Sequence, residues 1–278
     1  MKTAFLRGRE HHWVGGLELA GVGPAAIAIS RGGARKTYSY TDPNEDCVAF
    51  AVGDGGQLIV AADGHHGELG SEAAVQTILD EFAADWTAAR APAEGEAAWR
   101  ALGIDALLRA NRAILEVAGR NQLPPAPTTF VLALLRPADD VLLHLSVGDS
   151  HIFVIDGGEA IELGGRNPDW KFTPFLGYEE ARPEMMEEYS IIGFRSLKDL
   201  RAVVLATDGL SEPGIGVTDP SGAVYSTVAR VELDQPDDRR AVEICRGVVE
   251  VALRAHRRQK AGDNMGCSVV WLGNRTGG

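Results

Sequence analysis

The chain has 278 residues, of which 45% are hydrophobic and 24% charged, and its formal net charge is -12. That length suits one large domain or two small ones, and the composition is that of an ordinary soluble globular protein. So acidic a surface repels phosphate backbones and anionic membranes, which argues against nucleic acid or a lipid surface as partner.

Read from the N-terminus, MKTAFLRGREHHW carries basic residues but no long apolar stretch, so no signal peptide is expected. Short apolar patches with glycines over 13–31 predict an opening strand or hairpin. DCVAFAVGDGGQLIVAAD predicts two strands joined by a tight Gly-Asp-Gly-Gly turn. SEAAVQTILDEFAADWTAA has helical spacing, with Ala73, Ile78, Phe82 and Trp86 facing inward. A second long helix follows through EAAWRALGIDALLRANRAILEVAGR, with Gly119 helping to end it.

After the breaker cluster LPPAPTT come two apolar runs, TTFVLALLR and DVLLHLSVGD. HIFVIDGGEAIEL predicts a hairpin turning at Asp156–Gly158. Residues 164–189 look irregular and form a surface excursion or lid. RAVVLATD predicts a strand, and 237–259 an amphipathic helix with acids early and bases late, as the helix dipole favours. SVVWL closes the chain as a strand. Strands, two helices, many strands, one helix and one strand do not alternate regularly. The order points to an α+β fold of mostly antiparallel sheets with helices packed outside, in one domain over 1–278. No run approaches the ~18 apolar residues of a membrane helix.

The three cysteines, Cys47, Cys245 and Cys267, lie far apart without CxxC spacing, which fits a reducing cytoplasm, and Cys267 reads as core packing. Ser150 lacks the second glycine of a GxSxG nucleophile turn. His11, His12 and His66 read as surface residues.

Four aspartates carry the chemical signal. Asp63, Asp149, Asp208 and Asp263 each stand at the end of an apolar, strand-like run and are followed by Gly, Ser or Asn. A carboxylate at the tip of a buried strand is costly to desolvate unless something positive meets it. Asp63 can bridge two cations, the Gly64 carbonyl is a further oxygen donor, and Asn44-Glu45-Asp46 begins the strand paired with the one ending at Asp63. Oxygen donors select Mg2+, Mn2+ or Ca2+ over zinc or copper. Two such cations about 3.5–4 Å apart can hold and deprotonate a water for attack on phosphorus.

The segments NEDC, ADGHHG, VGDSHIFVI, LATDGLSE and GDNMGCSVV, in this order, resemble the metal-dependent serine/threonine protein phosphatases of the PP2C family, over roughly residues 40–272. The resemblance implies a sandwich of two antiparallel sheets flanked by helices, and hydrolysis of phosphoserine or phosphothreonine without a phosphoenzyme. It implies two Mn2+ or Mg2+ ions, with Asp63 bridging them, Gly64 on the second, and Asp208 and Asp263 on the first. Glu45 or Asp46 would act on a metal directly or through water. Asp149 would serve a third, weaker metal, and His65 would protonate the leaving oxygen.

Two positions depart from the family pattern. Its phosphate-binding arginine falls at Thr41, and the arginine after its GDS motif is His151 here. Arg35, Lys36, Arg166, Lys171 and Arg195 are the candidate replacement cations. The 164–189 segment stands where the family has a variable flap, with Trp170, Phe172, Phe175 and Tyr178 expected to shape access. A phosphoprotein substrate and a monomer are expected. The rival readings are a catalytically silent domain that binds a partner, and a phosphatase of a small phosphorylated molecule.

Overall fold

The apolar runs pair into two sheets in a computed structural model that describes residues 1–36, 44–124, 126–164 and 173–273. The strands are β1 (Lys2–Arg7), β2 (Glu18–Val22), β3 (Ala25–Ser30), β4 (Cys47–Val52), β5 (Gln57–Ala62), β6 (Phe130–Arg136), β7 (Val141–Val147), β8 (His151–Ile155), β9 (Ala160–Glu162), β10 (Ile191–Arg195), β11 (Ala202–Ala206) and β12 (Met265–Trp271). The helices are α1 (Leu69–Glu81), α2 (Ala83–Trp86), α3 (Glu96–Asn121), α4 (Pro183–Tyr189), α5 (Pro220–Asp234) and α6 (Asp237–Gln259). One sheet runs β1-β4-β5-β6-β7-β10 and the other β2-β3-β12-β11-β8-β9, and the paired strands are antiparallel.

Both faces of each sheet are covered, which is why the central strands read as unbroken apolar runs. In β4, Val48 and Phe50 point into the interior between the sheets, with Ile59, Val131, Val203 and Leu205. The alternate residues Cys47, Ala49 and Ala51 face outward, where Ile78, Trp86, Trp99 and Leu107 from α1, α2 and α3, and Phe82 between α1 and α2, cover them. Val204 and Val269 on the other sheet are covered in the same way by Val228 of α5 and Ile244 and Val248 of α6. The expected α+β sandwich of antiparallel sheets with outer helices is the observed fold.

Several expectations are corrected locally. The first predicted helix is two, because Phe82 leaves helical geometry between α1 and α2. Within it Ala73 is only half-buried, while Ala74 is fully buried. Gly119 lies inside α3; the helix ends at Gln122, which takes the left-handed conformation at φ 55°. One helix was expected between β11 and β12, and there are two. The additional one, α5, starts at Pro220, with the Asp219 carboxylate capping Gly222 N at 2.9 Å. The supposedly irregular 164–189 contains α4, begun by Pro183, while 165–172 fall outside the described residues.

Candidate metal centre

Strand register alone sends the acids to one end of the sandwich. The start of β4 pairs with the end of β5 (Cys47 with Ala62), and the start of β6 with the end of β7 (Phe130 with Val147). On the other sheet the end of β11 meets the starts of β8 and β12 (Ala206 with His151 and with Cys267). Glu45 and Asp46 therefore precede β4 where Asp63 follows β5, and Asp149, Asp208 and Asp263 leave their strands at the same end. A cleft of about 250 Å³ there is lined by Lys36, Glu45, Asp63, Gly64, His65, His66, Asp149, Asp208, Glu212 and Asp263. Asp46 lies behind it, 1% exposed.

The surrounding chain holds these residues in place. Thr128 Oγ1 donates to Asp63 O at 2.7 Å, and Asp63 N donates to Thr129 Oγ1 at 3.0 Å. Gly64 sits so close to the backbone that a Cβ there would lie 2.8 Å from Glu45 O and 2.9 Å from Gly67 O. Glu45 N donates to Asn264 Oδ1 at 3.0 Å, joining the first and last motifs, and Gly67 N donates to Glu45 Oε1 at 2.6 Å. Thr207 Oγ1 donates to Asp46 Oδ2 at 2.7 Å. Buried His256 accepts from Gly33 N at Nδ1 (3.1 Å), so Nε2 carries the proton it donates to Gly209 O (2.7 Å).

The electrostatics are those of crowded anions. Burial, then the Asp208, Asp46 and Asp263 charges, raise the Asp63 pKa well above the usual carboxylate range. Burial, then Asp263, Asp149 and Glu212, do the same to Asp208. Burial pushes Asp46 up to about 7, against the Thr207 hydrogen bond and the Lys36 charge. Burial would depress the Lys36 ammonium, but Asp263, Asp63, Glu45 and Asp46 together leave it raised. Its Nζ stands 3.2 Å from Asp263 Oδ1 and 3.3 Å from Glu45 Oε2.

These residues suit a hard divalent cation. The donors are oxygens, and the buried Asp46 Oδ1 and Asp149 Oδ1 have no hydrogen-bond partner among the described residues. Among the described residues no three His, Cys, Asp or Glu side chains stand close enough together to hold a metal ion as they lie.

His65 forms part of the cleft wall. Its Nδ1 is 3.7 Å from Asp63 Oδ2, too far for a hydrogen bond, and burial lowers its pKa. Its ring packs on Phe175 at 4.4 Å between centroids, and Phe175 meets the exposed Tyr178 edge-on at 5.9 Å. Trp170 and Phe172 lie outside the described residues, as do Thr41, Arg166 and Lys171. Of the remaining candidate cations, Arg195 stands opposite Leu142, at the far end of β7. Arg35 is exposed, and Lys36 enters the cleft.

Sequence reading did not anticipate the surroundings of His151. Its Nδ1 is 2.5 Å from Glu162 Oε1 and its Nε2 2.6 Å from Ser211 Oγ. It thus ties the turn bearing Asp149 to the turn bearing Asp208. Ser150 pairs instead with Thr129, Oγ to Oγ1 at 2.7 Å. Glu212, Thr207 and His256 were also not singled out. The Ser-Glu after Asp208-Gly-Leu was the visible signal for Glu212; nothing local marked the other two.

A search among curated proteins found no match. Among solved structures, the chain resembles the serine-threonine phosphatase 2C from Toxoplasma gondii (15% identity, TM-score 0.67, 92% of this chain and 99% of that one). It also resembles serine/threonine phosphatase Stp1 from Staphylococcus aureus (18% identity, TM-score 0.64, 92% and 97%). The catalytic domain of the serine/threonine protein phosphatase PstP, solved with two manganese ions, is similar at 20% identity and TM-score 0.63, over 93% of this chain and 100% of that one. At these identities the likeness speaks to the fold. The sequence profile described as protein phosphatase 2C matches residues 35–243, well over half the chain, and the chain belongs to that family.

Proposed function

We propose that this protein is a divalent-metal-dependent phosphatase acting on phosphoserine and phosphothreonine in proteins. The observation that carries the reading is the gathering of Asp46, Asp63, Asp149, Asp208 and Asp263 at one end of the sandwich, with buried carboxylate oxygens left unpaired. Asp63 would be shared between two ions, with the Gly64 carbonyl on one and Asp208 and Asp263 on the other. Glu45 and Asp46 would contribute directly or through water, and Asp149 would serve a weaker third ion. Two Mn2+ or Mg2+ ions would supply the charge that holds the phosphate and acidifies a water for attack on phosphorus.

The protein's own groups do the rest. The P–O bond to the serine or threonine oxygen breaks as the water adds, and that oxygen, a poor leaving group, needs a proton. His65 would deliver it from its protonated form, and its position on the cleft wall, with Nδ1 unpartnered and its ring against Phe175, supports that role. The three buried free thiols suit a reducing compartment, and we place the protein in the cytoplasm. No helix among the described residues is long and apolar enough to cross a membrane.

The test is phosphate release from a phosphothreonine peptide with Mn2+, with Mg2+ and with chelator, alongside Asp208→Asn. Metal-dependent turnover that the variant reduces by at least about a hundredfold is expected. Tight Mn2+ binding without turnover on phosphopeptides sinks the enzymatic reading in favour of a partner-binding domain. Turnover confined to phosphorylated metabolites sinks the protein-substrate reading.

A further inference from the structure

Lys36 is the only Lys or Arg among the described residues lining the cleft, which otherwise presents six carboxylates: Glu45, Asp63, Asp149, Asp208, Glu212 and Asp263. Its ammonium lies between two of them, on Asp263 and on Glu45, with the side chain only 13% exposed. A lysine adrift on a loop would gain little from such contacts, since holding it there costs side-chain entropy. This lysine is not adrift.

The strap of residues 31–36 that follows β3 is clamped against the C-terminal half of α6 and the loop bearing Asp263. A Cβ on Gly32 would fall 2.2 Å from Asp263 O, one on Gly33 2.2 Å from Leu253 O, and one on Gly262 1.9 Å from Ala34 O. Gly262 N donates to Arg35 O at 3.0 Å, and Gly33 N donates to His256 Nδ1. Side-chain-free contact on both partners lets the two backbones touch, which delivers the Lys36 Cα to the cleft rim at a defined place. From there a flexible four-carbon stem lets a compact charge reach more than one position while the backbone stays still.

We infer that Lys36 is a tethered counter-cation with two stations. In the first it neutralises Asp263 and Glu45 and so competes with a divalent cation for them. In the second, once those carboxylates are engaged, it turns to the substrate phosphate as the one Lys or Arg among the described residues lining the cleft. One side chain thereby links metal loading to phosphate binding. This rests on the phosphatase reading but is tested by binding alone.

The experiment is calorimetric titration of wild type, Lys36→Met and Lys36→Arg with Mn2+, then of each Mn2+-loaded protein with inorganic phosphate. Thermal melts verify that the variants fold. The Met variant should bind Mn2+ about tenfold tighter and phosphate about tenfold weaker, and the Arg variant should keep the phosphate affinity within about threefold. Unchanged or weaker Mn2+ binding in a folded Met variant overturns the inference, as does tighter Mn2+ binding with undiminished phosphate affinity. A wild type that binds Mn2+ and phosphate yet turns over no phosphopeptide refutes the proposed function and leaves this test readable.

Discussion

Thr207 Oγ1 donates to Asp46 Oδ2 at 2.7 Å and accepts from Gly266 N at 2.8 Å, joining residues 161 positions apart in the chain. Thr207 follows β11 of one sheet and Asp46 precedes β4 of the other, so this hydroxyl ties the two sheets together at the end that carries the acids. It also occupies one Asp46 oxygen and leaves Oδ1 free.

Thr207→Val keeps the shape and removes the hydroxyl, stranding a buried carboxylate oxygen and the Gly266 N–H. A loss of about 2 kcal/mol in stability is expected, since unpaired buried polar groups cost ~1–3 kcal/mol each. Weaker Mn2+ binding should accompany it, as Asp46 loses its orientation. Thr207→Ser retains both bonds and should behave as wild type. Urea denaturation and calorimetry measure the two effects, and a Val variant indistinguishable from wild type in both would show the bridge to be idle.

Arg136 is fully buried at the end of β6, yet its guanidinium is well partnered. It donates to Asp139 Oδ2 at 2.6 Å and to the carbonyls of Trp86 and Ala88 at 2.8 Å each, with Ala89 O at 3.2 Å. This side chain, together with Gly55 N donating to Thr87 O at 2.9 Å, holds the loop after α2 to the sheet. Arg136→Met fills much of the space but leaves those carbonyls unpaired. About 3 kcal/mol of destabilisation is expected, within the range for breaking a buried charged network. Since Arg136 is remote from the cleft, Mn2+ affinity should hold, and a drop in affinity with unaltered stability would contradict this assignment.

His144 on β7 is 6% exposed, and its Nδ1 has no hydrogen-bond partner among the described residues. Burial, helped by the Arg195 charge, lowers its pKa to about 4. The folded state thus favours the neutral ring, while the unfolded chain titrates near 6.5. The stabilisation is complete above the unfolded value and is lost as the pH falls from about 6.5 towards 4, by a total on the order of 3 kcal/mol. His144→Leu cannot take up the proton. Chemical denaturation should show the wild type losing more stability than the variant across that window, and equal losses would mean that the ring is already solvated in the fold.

The fold was largely legible because its strands alternate between two buried faces and its hairpins carry marked turns. Asp156 Oδ1, for instance, accepts from Gly158 N and Glu159 N at the predicted turn. Edge strands were harder. β1 is half exposed, β10 is interrupted by Gly193, and neither forms a run with clear alternation. The α5 helix did announce itself, by an Asp219-Pro220 start that sequence reading passed over. Gly119 was named as a helix end because glycine favours that place, but hydrogen bonding carried α3 on to Gln122.

The sequence by itself determined the layered α+β architecture, the family, and the aspartates worth watching, because periodicity and motif are local properties. Where those aspartates meet is a matter of register, and register arises only when strands pair. Arg35 and Lys36 were equal candidates in the sequence. Only the tertiary structure separated them, turning one to solvent and the other onto Asp263 and Glu45, through backbone contacts with a loop more than two hundred residues away. The partners of Thr207, His151 and His256 were hidden for the same reason: a hydrogen bond between residues far apart in the chain leaves no trace in the residues beside it.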